Sequence, residues 1–376
     1  SISEVGVRSL NLFPRLENTM KKQLMTTTAL VAAGVIAVSG AAFGASKTTL
    51  KISGNLSGVV SAASQDTKNY LGVGVFNDAE IHFKGSRTLD NGMKVKATVE
   101  MEGQAGNTTH DESHLTISGA FGSINIGSND NAADAMVGGS SGSGATNVGR
   151  NTGLHVVKSI IAPSGHTASP GNTLDLGSSD ANLITYMTPR VSGIQVGMSF
   201  IPTFAQSNAQ TLQTTNNHNG VALAANYKGK MGSTAITLAG GYMSAENKTS
   251  TSADMSGVAM SVAVTMGKIT LAFGMGEEKN MTTVAGSGIN YADYGIKYQA
   301  NKKDSFSLGY ETVSDASSTT AGDDKTTVAM LSYARAVGTG VSANVNLMYA
   351  NFEGEVAGSS DDNDGFGIQT EIKVKF

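Results

Sequence analysis

The chain has 376 residues, 26 basic against 30 acidic side chains and a formal net charge of −4. That balance, with no basic patch interleaved with aromatics, argues against nucleic acid as a partner. There is no cysteine, so a disulfide framework is excluded and backbone hydrogen bonds must hold the fold. No stretch after residue 45 approaches the ~18 apolar residues that a transmembrane helix needs.

The first segments are not read as structure. Met20, Lys21 and Lys22 form a short positive region, Ala29 to Val38 is apolar, and Ser39, Gly40, Ala41 and Ala42 are small. This is the plan of a secretory signal peptide over residues 20–44. Cleavage after Gly44 leaves Ala42 at −3, whereas cleavage after Ala45 would place bulky Phe43 there. Residues 1–19 fit no targeting logic and are read as an upstream extension. The fold is expected in residues 45–376 as a single domain.

From there Gly is abundant, Pro is scarce, and Thr, Ser, Val and Ala fill alternating segments. Sixteen strands are predicted, at roughly 48–62, 77–87, 93–102, 111–119, 123–129, 182–189, 193–201 and 219–229, then 233–245, 253–266, 267–277, 288–300, 304–313, 326–336, 340–353 and 364–376. Short connections such as Leu89–Gly92, Ala120–Gly122 and Val337–Gly340 alternate with long polar ones. An up-and-down barrel with tight periplasmic turns and longer outside loops predicts that rhythm, and a sandwich does not. Ten residues at ~3.3 Å each, tilted about 45°, cover ~23 Å, close to the ~25 Å apolar band of an outer-membrane barrel. The expected fold class is therefore all-β, a 16-stranded antiparallel transmembrane β-barrel.

Where alternation is clean, faces can be assigned. Leu50, Ile52 and Leu56 point outward while Lys51, Ser53 and Asn55 point to the lumen. Val95, Ala97 and Val99 oppose Lys94, Lys96, Thr98 and Glu100 in the same way. On this reading the methionines are lipid-facing filler. Alternation is weak in 182–189 and 326–336. With no Trp in the chain, an aromatic girdle must rest on Tyr227, Tyr242, Tyr294, Tyr310 and Tyr349, together with Phe.

One connection breaks the size rule. Asn129 to Ala181 is roughly fifty residues, far above usual loop length, so function is expected there. It is either a flexible outside loop or a constriction loop over 129–181 folded into the lumen.

Chemical motifs fail by their context. His110 and His114 are spaced as HxxxH but flank a loop-to-strand junction. The run Asp361, Asp362, Asn363, Asp364, Gly365 lacks the downstream Glu of a calcium loop. The Gly/Ser tract 138–144 lacks the Lys of a phosphate loop, and no GxSxG occurs. No metal site, cofactor or catalytic set is expected.

The final strand alternates Phe366, Ile368, Thr370, Ile372, Val374 and Phe376 against Gln369, Glu371, Lys373 and Lys375. Bacterial outer-membrane barrels resemble this closely, because their assembly machinery reads a terminal Phe, which would make Phe376 the assembly signal. With 121–135 (FGSINIGSNDNAADA) and 182–200 (NLITYMTPRVSGIQVGMSF), the chain resembles the trimeric general porins of Gram-negative bacteria, especially the alphaproteobacterial branch.

That resemblance implies a homotrimer of 16-stranded barrels in the outer membrane, each with a constriction where acidic groups on the third loop face a basic wall. Carried over by position, Asp130 and Asp134 are the acidic candidates. Lys51, Lys84, Lys94, Lys96 and Lys373 form the basic wall, with His82 nearby. Glu80, Glu100, Glu102 and Glu371 dilute that wall.

The expected function is passive diffusion of small hydrophilic solutes and ions through a water-filled channel. The rivals are a solute-selective porin for anions or a nutrient, and a structural or adhesive barrel with a plugged lumen. Expected partners are outer-membrane lipid and lipopolysaccharide, the barrel-assembly machinery and the solutes themselves.

Overall fold

The computed structural model describes residues 47–66, 72–104, 110–142, 144–149, 159–171, 174–206, 217–248, 253–281, 287–316, 322–354 and 362–376. The expected upstream extension and signal peptide, and Asp361, lie outside these residues.

Sixteen strands form one closed barrel in which every neighbour is antiparallel and adjacent in sequence, and β1 closes on β16. The strands are β1 (Thr49–Gln65), β2 (Val73–Thr88), β3 (Lys94–Glu102), β4 (Ser113–Gly119), β5 (Gly122–Ser128), β6 (Asn182–Met187), β7 (Ile194–Thr203) and β8 (His218–Met231). They continue as β9 (Thr234–Glu246), β10 (Met255–Met266), β11 (Ile269–Lys279), β12 (Gly288–Gln299), β13 (Asp304–Asp315), β14 (Asp324–Gly338), β15 (Val341–Glu353) and β16 (Asn363–Lys375). Two short helical turns, α1 (Ala132–Met136) and α2 (Gly139–Gly142), lie in the connection from β5 to β6.

The turns that join even to odd strands are tight. At Gly267 and Gly340 they need the left-handed backbone that glycine adopts without strain, with φ of 58° and 72°. The seam is closed by reciprocal backbone bonds: Gly54 N–H donates to Phe376 O at 2.9 Å, and Phe376 N–H to Gly54 O at 3.0 Å. From there Asn55 pairs with Lys375, and the register runs unbroken to Gln65 opposite Gly365. A closed sheet leaves no unpaired edge, as a bilayer demands.

The period-2 pattern sets the two faces. Leu50, Ile52, Val60, Val258, Met260, Leu271, Leu308 and Ile372 are exposed on the outside, the pattern of a lipid-facing band. Outward aromatics stack across neighbouring strands, with Phe273 and Tyr294 centred 5.0 Å apart and Tyr349 and Phe366 4.8 Å apart.

The inner face departs from the expectation of a uniformly polar lumen. Met243, Met255, Met330 and Met348 are buried on it, so the assignment of the methionines to the lipid face holds for Met260 and Met275 but not for these four. They pack in two inner clusters. One joins Met243 and Met255 to Met136, Val137 and Leu174, and the other joins Val328, Met330, Met348 and Phe352 to Val148 and Ile160. The apolar core of this molecule therefore lies between the barrel wall and the long connection inside it.

Candidate functional site: the lumen and its inner loop

The described parts of the connection from Ser128 to Asn182 enter the barrel and follow the inner wall. The connection starts with a cap: the Asn131 side chain accepts the N–H groups of Ala133 at 2.8 Å and Asp134 at 3.1 Å, turning the chain into α1. Asn131 Nδ2 also donates to Leu174 O on the returning limb, and Ala132 N–H donates to Ser199 Oγ on β7. Beyond α2 the outgoing limb reaches β14 and β15, where Asn147 donates to Ser332 and Asn346. Ile161 N–H then meets Gln65 at the outer end of β1, and Asn363 on β16 donates to Ile161 O.

The wall makes room for this path by omitting side chains. A Cβ on inward Gly257 would lie 2.5 Å from Leu174 Cδ1, and one on Gly295 2.7 Å from Thr146 Cγ2. At Gly309 a Cβ would overlap both Val148 and Thr146. Close approach of loop to strand is what these glycines permit.

Carboxylates of the wall then hold the loop by its backbone. Asp293 accepts Ser140 N–H at 2.5 Å, Asp324 accepts Thr167 N–H at 2.6 Å, and Glu311 accepts Gly171 N–H at 2.9 Å. Glu278 accepts both Asp175 and Leu176 N–H at 3.2 Å. All four carboxylates are buried. Burial of peptide N–H groups away from strands demands acceptors, and carboxyl oxygens of the wall supply them. Sequence reasoning missed these four residues. The available signal was an acidic side chain at an inward position of a clearly alternating strand, as at Glu278 and Asp293.

The base of the loop is acidic. Ser128 Oγ donates to Asp180 O at 2.7 Å, tying the two limbs together. Carboxylate oxygens of Glu112, Asp130 and Asp180 gather within 4.8 Å of one another. Burial, reinforced by the nearby charges of Asp130, Glu100 and Asp180, pushes the Glu112 carboxyl up to about 9, so it is protonated at neutral pH. Burial and like charge raise Asp111 and Asp180 as well. A second carboxylate-rich group, Glu80, His82 and Glu100, lies on the wall. Either set has the donor atoms to hold a cation.

The wall of β1 to β4 and β16 carries the predicted basic residues. Lys51 is paired directly with Lys84, Lys96 with Thr116, Lys94 with Ser118 and Lys373 with Ser57, so all five sit inward on neighbouring strands. Lys84 Nζ lies 3.3 Å from Glu100, whose other neighbour is His82 Nδ1 at 2.6 Å. His82 Nε2 is 3.3 Å from Glu80. Lys84 and Glu80 keep about a third of their side chains open to solvent.

Of the two acidic loop candidates, Asp130 sits in the carboxylate group at the loop base. Asp134 does not line the passage: it is 4% exposed, in α1 against the inner wall, because the helix turns its first-turn acid away from the water. His110 and His114 do not converge as an HxxxH pair, since they lie before and on a strand. His110 contacts Ser113 Oγ at 3.0 Å, while His114 faces Glu112 at 3.9 Å.

A closed sixteen-strand barrel whose lumen is narrowed by a long inner loop defines a channel-forming outer-membrane protein. The family of Gram-negative porins matches residues 26–355, and the chain belongs to it. Comparison with curated proteins found no match by sequence. Among solved structures, an anion-selective porin from Comamonas acidovorans is 13% identical with a TM-score of 0.60, covering 88% of this chain and 100% of that one. OmpF of Salmonella typhi, in complex with daunomycin, is 15% identical with a TM-score of 0.61, covering 87% and 97%. OmpT of Vibrio cholerae in its trimer form is 12% identical with a TM-score of 0.58, covering 88% and 100%. At these identities the likeness is one of fold.

Proposed function

We propose that this porin passes small hydrophilic solutes and ions by passive diffusion, with no catalytic step, cofactor or energy coupling. One observation carries the reading: the inner loop is pinned along the wall of β7 to β16, while β1 to β4 keep solvent-open charged side chains on the lumen side. Such a lining suits water-borne solutes and excludes lipophilic ones. Asp130 at the loop base and Lys51, Lys84, Lys94, Lys96 and Lys373 on the wall are the charges that a solute would meet.

The remaining parts of the reading rest on residue pattern and fold likeness. Export would use the signal peptide at 20–44. The assembly machinery would read Phe376, and the barrel would sit among lipid and lipopolysaccharide. A homotrimer is supported by the trimeric form of the Vibrio cholerae neighbour.

Single-channel recording of refolded protein in a planar bilayer tests this. Large, stable conductance steps in threes are expected. Silence from protein shown to be folded and inserted would sink the diffusion reading and favour a plugged, adhesive barrel. Anion selectivity, the other rival, would show as a reversal potential of the anionic sign under a salt gradient.

A further inference from the structure

The charged side chains of the inner wall are sorted along the barrel axis. On β2, from the loop end to the turn end, the inward ionisable positions are Asp78, Glu80, His82 and Lys84. On β3 the same order holds from Glu102 and Glu100 to Lys96 and Lys94. β16 places Glu371 before Lys373 and Lys375, and β12 places Asp293 before Lys297. Strands with inward charge of one sign agree. Lys51 and Lys228 sit near the turn ends of β1 and β8, while the acids Glu278, Asp293 and Glu311 lie nearer the loop ends of their strands but beneath the inner loop rather than in the passage. Among the described strand residues, no inward acid lies nearer the turns than an inward lysine of the same strand. Beyond the strands, Asp111, Asp130 and Asp180 extend the acidic tier toward the outside, beside the protonated Glu112. The two tiers meet at His82, between Glu80 and Glu100, and at the contact of Lys84 with Glu100.

We propose that the lumen is an axial bipolar passage, acidic toward the outside and basic toward the periplasm, which rectifies ionic current and favours zwitterionic solutes over singly charged ones. This rests on the chain being an open channel. A lone cation is attracted by the acidic tier and repelled by the lysine tier, and a lone anion meets the same pair in reverse. A zwitterion at the boundary, where Lys84 lies 3.3 Å from Glu100, meets both signs at once, its ammonium toward Glu80 and Glu100 and its carboxylate toward Lys84 and Lys96. The tiers touch where Lys84 meets Glu100, but their far members do not: Asp78 and Lys84 are six residues apart, about 20 Å along the strand. That exceeds the ~10 Å screening length at about 0.1 M salt, so the tiers act separately there, and at about 1 M the length falls to ~3 Å and the effect fades. With the outside positive, cations from the acidic tier and anions from the basic tier are both driven to the boundary, and conductance rises. The opposite polarity empties the boundary.

The test uses the full refolded chain, inserted from one side of a planar bilayer. At about 0.1 M KCl the currents at opposite polarities should differ by about twofold or more, and at about 1 M they should be equal. The double substitution Lys84→Glu with Lys96→Glu should reduce the asymmetry. In vesicle-swelling assays glycine should enter faster than sodium glycolate or ethanolamine chloride. Open steps with equal currents at low salt overturn the axial arrangement and leave the porin reading standing. Glycine entering no faster than the single ions overturns the solute class. No steps at all from folded, inserted protein overturns both readings.

Discussion

Glu278 Oε1 accepts the backbone N–H of Leu176 at 3.2 Å, joining the returning limb of the inner loop to the loop end of β11. The same oxygen takes the N–H of Asp175, so one buried carboxylate satisfies two loop amides that no strand could serve.

Replacing Glu278 by alanine leaves both amides without that acceptor, at a cost of about 1–3 kcal/mol for each buried unsatisfied group. The barrel ladder is untouched, so the loop bears the loss. Single-channel records of Glu278→Ala should show noisier open states, and swelling assays should show a larger solute limit. A variant trace as quiet as that of the wild type would mean that the carboxylate does not hold the loop.

The same logic applies to space. Gly309→Ala pushes a methyl into Val148 and Thr146, and overpacking of this kind costs about 1–3 kcal/mol. Thermal stability should fall and conductance should change. Gly85 is the control, because nothing lies within 4 Å of a Cβ built there, and Gly85→Ala should leave both unaltered. Equal behaviour of the two variants would remove the case for a glycine track.

Glu112 makes the loop base sensitive to pH. Its folded pKa of about 9 lies above the ordinary 4.5, so the folded state holds a proton that the unfolded state gives up. The stabilisation is therefore complete below about pH 4.5 and is lost as pH rises through about 9. Channel noise should increase between about pH 7 and pH 9, and Glu112→Gln, which keeps a neutral side chain, should flatten that profile. An unchanged profile in the variant would place the pH response elsewhere.

At the seam, Phe376 both donates to and accepts from Gly54. Deleting Phe376 removes two backbone bonds, worth about 0.5–1.5 kcal/mol each. Phe376→Ala keeps those bonds and removes only the ring. If the ring is the assembly signal, the substitution should lower the yield of barrel in the outer membrane while refolding in detergent proceeds as in the parent.

Much of the barrel was legible because a closed sheet in lipid enforces period 2 on every strand, and all sixteen strands fall within a few residues of their expected bounds. The weakly alternating segments had a cause. β14 puts Val328 and Met330 on its inner face, and β6 puts Leu183 and Met187 there, where the loop rather than water covers them. Loss of contrast between the faces was thus itself the trace of the loop, though a single strand cannot say what covers it. The acidic site residues were harder to place, because neighbours in sequence diverge: Asp130 stays at the loop base while Asp134 turns into the wall with α1. Side-chain direction within a five-residue helix depends on what it packs against, and that partner lies on distant strands.

The path of the inner loop divides the barrel into two sectors with separate duties. Glycines and buried carboxylates from β10 to β14 serve as scaffolding and tolerate little change. The lysines of β2 and β3 face the lumen, Lys84 beside Glu100, and hold no part of the described loop, so they can be exchanged with small effect on folding. Selectivity in this protein can therefore drift, or be engineered, by altering a few surface-like side chains while the machinery that fixes the bore stays as it is.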